Sequence, residues 1–285
     1  MKRLKQVNIG LLLGAGIILS ICLVGIFAPW IAPHDPLAVN LFARLQAPSW
    51  AYPFGTDHLG RCILSRIIYG IRISTIAALI IMFFTMVISV PIALFTGYVR
   101  GRSDNIMMRI IDSTLAIPDI ILTIAIVGLL GPGLLNMIFA IVVVRWASYV
   151  RFIRSLVVKI SQEDYIFSAR MSGNSHFRIL KRYVLPQIGM PIIVFSTLDI
   201  GKIVLNIASL SFLGLGSQPP TPEWGAMLND ATNYFQVSPY VMFFPGLAIV
   251  LFVLACQLVS EQLGKYETTV GKEAQHVGKK PLIEG

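Results

Sequence analysis

The chain has 285 residues, of which 55% are hydrophobic and 13% charged, with a formal net charge of +9 and a mean hydropathy of +0.75. Soluble domains carry roughly 25% charged residues, so too little polar surface is left to cover a globule in water, and a soluble enzyme is excluded. The basic excess points first to the cytoplasmic loops of a membrane protein, where Lys and Arg collect, and not to nucleic acid.

Lys2, Arg3 and Lys5 precede an apolar run from Ile9 to Ala28. A signal peptide has an apolar region of roughly 7–15 residues, whereas a bilayer span takes about 20, so this run is expected to be a first transmembrane helix with its N-terminus in the cytoplasm. The stretch from Pro29 to Ile71 holds Pro33, Pro36, Pro48, Pro53, Gly55 and Gly60. That punctuation predicts an external loop. A second span is expected from Ile73 to Tyr98, kinked at Pro91, followed by a cytoplasmic turn at Arg100, Arg102 and Arg109. The third runs from Ile110 to Leu130 through Pro118, and Gly131-Pro132-Gly133 turns outside into a fourth, Leu134 to Val150. A basic internal loop, Arg151 to Arg182, leads to a fifth span, Val184 to Leu205. A Gly/Pro-rich external stretch, Leu213 to Pro222, precedes a sixth, Tyr240 to Leu263, and a polar tail with Lys265, Lys272, Lys279 and Lys280.

The expected fold is therefore all-α integral membrane, with six transmembrane helices. Residues 1–71 form the cytoplasmic tip, first helix and external loop; 72–261 form the core; 262–285 form a cytoplasmic tail. Internal segments hold most Lys and Arg, and external ones only Arg44, Arg61, Arg66 and Arg72, with Lys202 near a span end. This asymmetry predicts a multi-pass cell-membrane protein with both termini cytoplasmic. Cys22, Cys62 and Cys256 are far apart, so neither a disulfide nor a metal site is expected.

The internal loop departs from a plain connector. Ser161 to Gly173 reads as a short helix, with Ser161 and Asp164 spaced as a capping box and Gly173 just past its end. Asn174 or Ser175 then caps a second short helix that ends before Pro186. Tyr165, Phe167 and Ala169 place apolar side chains among charges. Such an element either lies on headgroups or docks into a groove on a cytoplasmic partner.

The segment DYIFSARMSGNSHFRILKRYVLP (164–186) resembles the coupling loop of permease subunits in ATP-binding cassette importers. Ser168-Ala169 stand for the two alanines of that family's Glu-Ala-Ala, Gly173 for its glycine and Leu185-Pro186 for its Leu-Pro, while Phe167 replaces the usual acidic residue. PFGTDHLGRCILSRIIYGIRIS (53–74) resembles the Gly-Thr-Asp-x-x-Gly-Arg-Asp segment of the peptide/nickel importers, with Cys62 in place of the second aspartate. SFLGLGSQPPTPEWGAMLNDA (211–231) carries that family's Ser-Phe-Leu-Gly-Leu-Gly and Pro-Glu-Trp-Gly signature. The resemblance implies the type I importer permease fold with a cytoplasmic coupling helix at about 161–183. It implies ATPase coupling through Tyr165, Phe167, Ser168, Ala169, Arg170, Gly173, Leu185 and Pro186. It places Gly55, Thr56, Asp57, Gly60, Arg61, Gly214, Gly216, Glu223, Trp224 and Gly225 in external family motifs. The implied partners are a second homologous permease forming a heterodimer, two cytoplasmic ATPases, an extracellular substrate-binding protein and the bilayer.

No G-x-x-x-x-G-K-[ST] occurs in the chain, so no cofactor is expected on it and ATP would be used by the partner subunits. The chain is expected to be a pore subunit without catalytic residues. Ile207 stands where peptide-type members often carry glutamate, and Leu198-Asp199-Ile200-Gly201 resembles nickel-type permeases. The implied substrate is nickel or a metal chelate, with di- or oligopeptide as the alternative. Ionisable residues at membrane depth usually face a partner or a water-filled path. Asp119, Asp199, Lys202 and Asn206 are therefore expected on the translocation pathway, the alternative being a structural Asp199–Lys202 pair with Asp112 and Arg145 near the headgroups. A secondary transporter without ATPase, or a membrane-embedded enzyme, would leave the apolar internal loop unexplained.

Overall fold

The computed structural model describes residues 2–278, with side chains for residues 9–265. The side chains of Lys2, Arg3, Lys5 and Lys272, and Lys279 and Lys280 altogether, lie outside the described residues. The described residues are mostly helical and form no strand beyond an isolated bridge between Thr56 and Cys62. The helices are α1 (Lys2–Ile26), α2 (Ala28–Ile31), α3 (Ile63–Val99), α4 (Arg102–Leu115), α5 (Asp119–Leu130) and α6 (Leu134–Ile160). They continue as α7 (Asp164–Met171), α8 (His176–Ile179), α9 (Leu185–Phe212), α10 (Trp224–Ala231) and α11 (Tyr240–Gly278). Five stretches are long and apolar enough to cross a membrane, and six if α4 and α5 count as one broken span.

Lipid tails are as apolar as leucine, so helices associate in a bilayer through close packing and interhelical polar contacts. The α3–α6 pair, the most extensive contact between helices, follows that rule. Ala77, Ala78 and Ala93 on α3 and Ala140 and Ala147 on α6 are buried; their small side chains let the backbones approach. Ser89 Oγ donates to the Trp146 carbonyl across the same contact at 3.1 Å. Helix α9 packs on α11, and α1 lies outside against α11 and α3, leaving Leu12, Leu13 and Leu19 exposed.

Four expectations change. The external loop is shorter, because α3 begins at Ile63 and not at Ile73. The third span is not one helix: α4 and α5 meet at 85°, with Pro118 in extended conformation at the N-cap of α5. Proline lacks an amide hydrogen and its ring clashes with the preceding turn, yet Pro91 sits inside an unbroken α3. Third, the capping box does not form. Glu163 occupies the N-cap of α7, and the buried Ser161 hydroxyl has no partner. Fourth, the second short helix does not stop before Pro186. Leu180–Val184 widens into a π-turn, which absorbs the proline at the start of α9 and fuses α8 to it.

Candidate functional site

Three places gather the sequence-derived residues. The first is the end of the bundle away from the basic loop, where the segments around Asp57 and Trp224 meet. Asp57 accepts from the backbone amides of Leu59 and Arg61 at 2.9 Å and from Arg61 Nε at 2.6 Å. Arg61 reaches Asp230 at 3.4 Å, and Arg66 lies 3.6 Å from Asp57 and 4.0 Å from Asp230. Two carboxylates and two guanidiniums thus neutralise one another inside a buried network. The Thr56 hydroxyl donates to the Ala43 carbonyl and accepts from Gln46 N. Gly55 and Gly60 supply the positive φ of the turns.

The second motif is fastened to the first through α3. Trp224 is fully buried, and its indole Nε1 donates to the Ile67 carbonyl at 3.2 Å. Glu223 caps α10 by accepting from Gly225 N and Ala226 N at 2.9 Å, and Ser74 donates to it at 3.2 Å. Burial pushes the Glu223 carboxyl above its ordinary range, although these hydrogen bonds oppose the shift. A Cβ on Gly225 would stand 2.3 Å from the Ala208 carbonyl oxygen, so α10 can approach α9 this closely only at glycine. Gly214 and Gly216 shape the turn between α9 and α10. His58 stacks on Tyr234 at 5.2 Å. Burial lowers its pKa against the pull of Asp57.

The second place is a cavity of about 420 Å³ between α5, α6 and α9. Asp119, Asp199, Lys202 and Asn206 all line it, joined by Arg145 and Tyr149. Asp199 does not pair with Lys202. Its carboxylate accepts from Arg145 through both Nε, at 3.2 Å, and Nη2, and from the Tyr149 hydroxyl at 2.7 Å. Arg145 is therefore a buried partner in the bundle and not a headgroup residue. Asp112, exposed, pairs with Arg151. With Asp199 neutralised by Arg145, Asp119 and Lys202 are exposed and have no ion-pair partner among the described residues. Asp119 opens α5, where the helix dipole favours its negative charge.

The third place is the loop between α6 and α9. Helix α7 ends in a Schellman motif: Asn174 N donates to Ala169 O at 3.4 Å and Gly173 N to Arg170 O at 3.1 Å. This needs Gly173 at φ +76°. Ser175 caps α8 by accepting from Arg178 N. Ile166, Ala169 and Ile179 turn inward and are buried, whereas Tyr165, Phe167, Met171 and Phe177 are exposed. Ser168, Arg170, Leu185 and Pro186 are also exposed. Ala169, expected on the docking face, is therefore buried. Tyr98 at the end of α3 grips the loop twice: its hydroxyl is 3.1 Å from His176 Nδ1, and Arg170 stacks over its ring at 5.2 Å. Arg154 adds a two-pronged pair with Asp104 on α4 at 2.6 Å.

Sequence reasoning missed Arg145, Tyr149, Arg66, Asp230, Ser74 and Tyr98. Each acts on a partner far away in sequence, and only Arg145, an isolated cation within an apolar run, gave a local signal.

Comparison with known proteins gives a consistent picture. Residues 89–266 match the family described as binding-protein-dependent transport system inner membrane component, and residues 2–48 match the N-terminal TM domain of oligopeptide transport permease C. The chain is 42% identical to the dipeptide transport system permease protein of Haemophilus influenzae, covering 90% of this chain and 89% of that one. It is 38% identical to the nickel transport system permease protein of Escherichia coli K12, covering 87% and 89%. The glutathione transport system permease protein of E. coli O6:K15:H31 is 41% identical, covering 86% and 82%. In fold, the chain is similar to the inward-facing MetNI methionine ABC transporter, with a TM-score of 0.61 over 72% of this chain and 97% of that one at 18% identity.

Proposed function

The chain belongs to the binding-protein-dependent inner membrane components, the permease subunits of peptide and nickel ABC importers, and from that premise we propose that it forms half of a translocation pathway for short peptides. The observation that carries the substrate is the central cavity. It offers a carboxylate at Asp119, an ammonium at Lys202 and an amide at Asn206, and no imidazole or thiolate among its lining residues. A short peptide carries complementary charges at its two ends. A transition-metal ion would want convergent nitrogen, sulfur or carboxylate ligands. The relative at 42% identity, a dipeptide permease, supports the same reading.

The other half is a homologous permease, and substrate arrives from an extracellular binding protein docked on the fused external motifs. Two cytoplasmic ATPases drive the cycle, one seating on α7 and the other on the corresponding helix of the second permease, with both chain termini on their side of the membrane. The exposed apolar side chains Tyr165, Phe167 and Met171 on a helix outside the spans support this docking face, since an unpartnered apolar helix face suits a groove on a partner. Closure of the ATPases on ATP moves α7. Ile166 packs in the core cluster of the bundle, and Tyr98 holds Arg170 of α7 and the adjoining His176.

A second reading, nickel or a metal chelate, is favoured by the 38% identity to a nickel permease and by the Leu198–Gly201 run. Uptake of labelled dipeptide and of nickel in a strain lacking this subunit separates the two. Dipeptide uptake restored by the wild-type chain and reduced at least roughly tenfold by Asp119→Asn with Lys202→Met is expected. Wild-type dipeptide transport by that double variant would refute the pathway role, and restoration of nickel uptake alone would refute the peptide.

A further inference from the structure

A second cavity lies apart from Asp119, Asp199 and Lys202. A groove of about 870 Å³ lies where α2, α3 and α6 meet, at the end of the bundle that carries the external motifs. Its lining is divided by chemistry. Ile73, Ile76 and Ile80 of α3, with Leu135 and Ile138 of α6, form an apolar floor. His34, Asp35, Tyr69 and Arg72 form one polar end.

The depth of that polar end is set by the helices. Arg72 directly precedes the uncharged run of α3, and Leu134 opens α6 just after the Gly-Pro-Gly turn. The groove therefore starts where two spans enter hydrocarbon, and Ile73 to Ile80 carries it about 10 Å inward at 1.5 Å per residue. Trp30, 80% exposed beside the groove-lining Pro29 and Ala32, marks the same level, since tryptophan concentrates at membrane–water interfaces.

The charges at the rim identify the occupant. Arg72 and Asp35 are both exposed, and neither has an ion-pair partner among the described residues. Among the described residues the Asp35 carboxylate accepts from Leu37 N alone, at 2.8 Å. His34 stacks on Tyr52 at 4.7 Å and holds a buried Nδ1 with no partner. We propose that this groove binds a zwitterionic aminophospholipid, its phosphate on Arg72, its ammonium on Asp35 and its acyl chain along Ile73, Ile76 and Ile80. An anionic lipid without an amine satisfies Arg72 and leaves Asp35 opposed; an apolar helix satisfies neither.

The test uses the complete importer, purified with its partner subunits in nanodiscs of equal phosphatidylethanolamine and phosphatidylglycerol, with retained lipid counted by native mass spectrometry. Preferential retention of phosphatidylethanolamine is expected. Arg72→Gln and Ile76→Trp, both at exposed positions, should each lower that retention roughly tenfold, and Asp35→Asn should abolish the preference between headgroups. Equal retention by wild type and Ile76→Trp would overturn the site. Unchanged headgroup preference in Asp35→Asn would overturn the assignment of the rim. A cysteine at position 76 that cross-links quantitatively to the second permease would also overturn the proposal, because the groove would then be a subunit contact. None of these outcomes depends on which substrate is transported.

Discussion

Asp199 and Arg145 are 4% and 9% exposed, and the carboxylate receives both Arg145 donors and the Tyr149 hydroxyl. Changing Asp199 to Asn keeps the shape and removes the charge, stranding a buried guanidinium. Breaking such a pair costs about 3–5 kcal/mol. Arg145 borders the central cavity, where water can solvate part of the orphaned charge, so the lower end, about 3 kcal/mol, is expected. In the thermal unfolding of the detergent-solubilised complex this corresponds to a fall of roughly 5–10 °C. Removing both charges with Arg145→Met and Asp199→Leu should recover part of the loss, since an apolar replacement of a buried pair is often neutral. The Tyr149 hydroxyl would still lack its carboxylate acceptor and keep only the weak one at Met82 Sδ, at about 1–3 kcal/mol, so adding Tyr149→Phe should bring the midpoint close to wild type. A single Asn variant that melts with wild type, or a triple variant that melts no higher than the single one, would refute this account.

Three further outcomes are expected. Gly225→Ala drives a methyl group into the Ala208 backbone and should destabilise the packing of α10 on α9 by about 1–3 kcal/mol, read as faster proteolysis between α9 and α10; wild-type resistance would contradict the close approach. Glu223 has a raised pKa because of burial, so its protonated form is favoured in the fold. Its contribution is fully present below its ordinary value of 4.5 and lost as pH rises through the raised one; Glu223→Gln should flatten the dependence of the thermal midpoint on pH above 4.5. A curve parallel to wild type would contradict the burial argument. Tyr98→Phe removes the contact with His176 and keeps the ring under Arg170, whereas Tyr98→Leu removes both. Uptake per ATP hydrolysed should fall modestly in the first and several-fold in the second, with ATPase still co-purifying; an unchanged ratio in Tyr98→Leu would refute the role of the grip.

The spans were legible because apolar runs of about 20 residues have few other uses. The loop helix was legible because Gly173 and Ser175 punctuate it. Proline was the weakest guide. Pro91 and Pro118 present the same local chemistry, yet only Pro118 divides a helix, where Asp119 can open the next one. Whether neighbours satisfy the freed carbonyl is a tertiary matter. Asp199 shows a second limit. Its neighbour three residues on, Lys202, is the obvious partner by helical spacing, but a cation 54 residues earlier lies closer in space. The motif glycines and Trp224 could be recognised in sequence; that they hold α10 against α9 and α3 could not.

Helix α3 runs for 37 residues without a break, about 55 Å at 1.5 Å per residue, well beyond the ~30 Å hydrocarbon thickness. It is a beam with a fixture at each end: Ile67 and Ser74 hold the Trp224 and Glu223 side chains, and Tyr98 holds Arg170 and His176. The two fixtures are joined by one continuous helix, with Pro91 its one internal proline. The 85° elbow between α4 and α5 has the opposite mechanical character, a joint at which one arm can swing alone. The basic loop thus connects to the far end of the bundle through a continuous helix, and to the cavity beside Asp199 through an elbow.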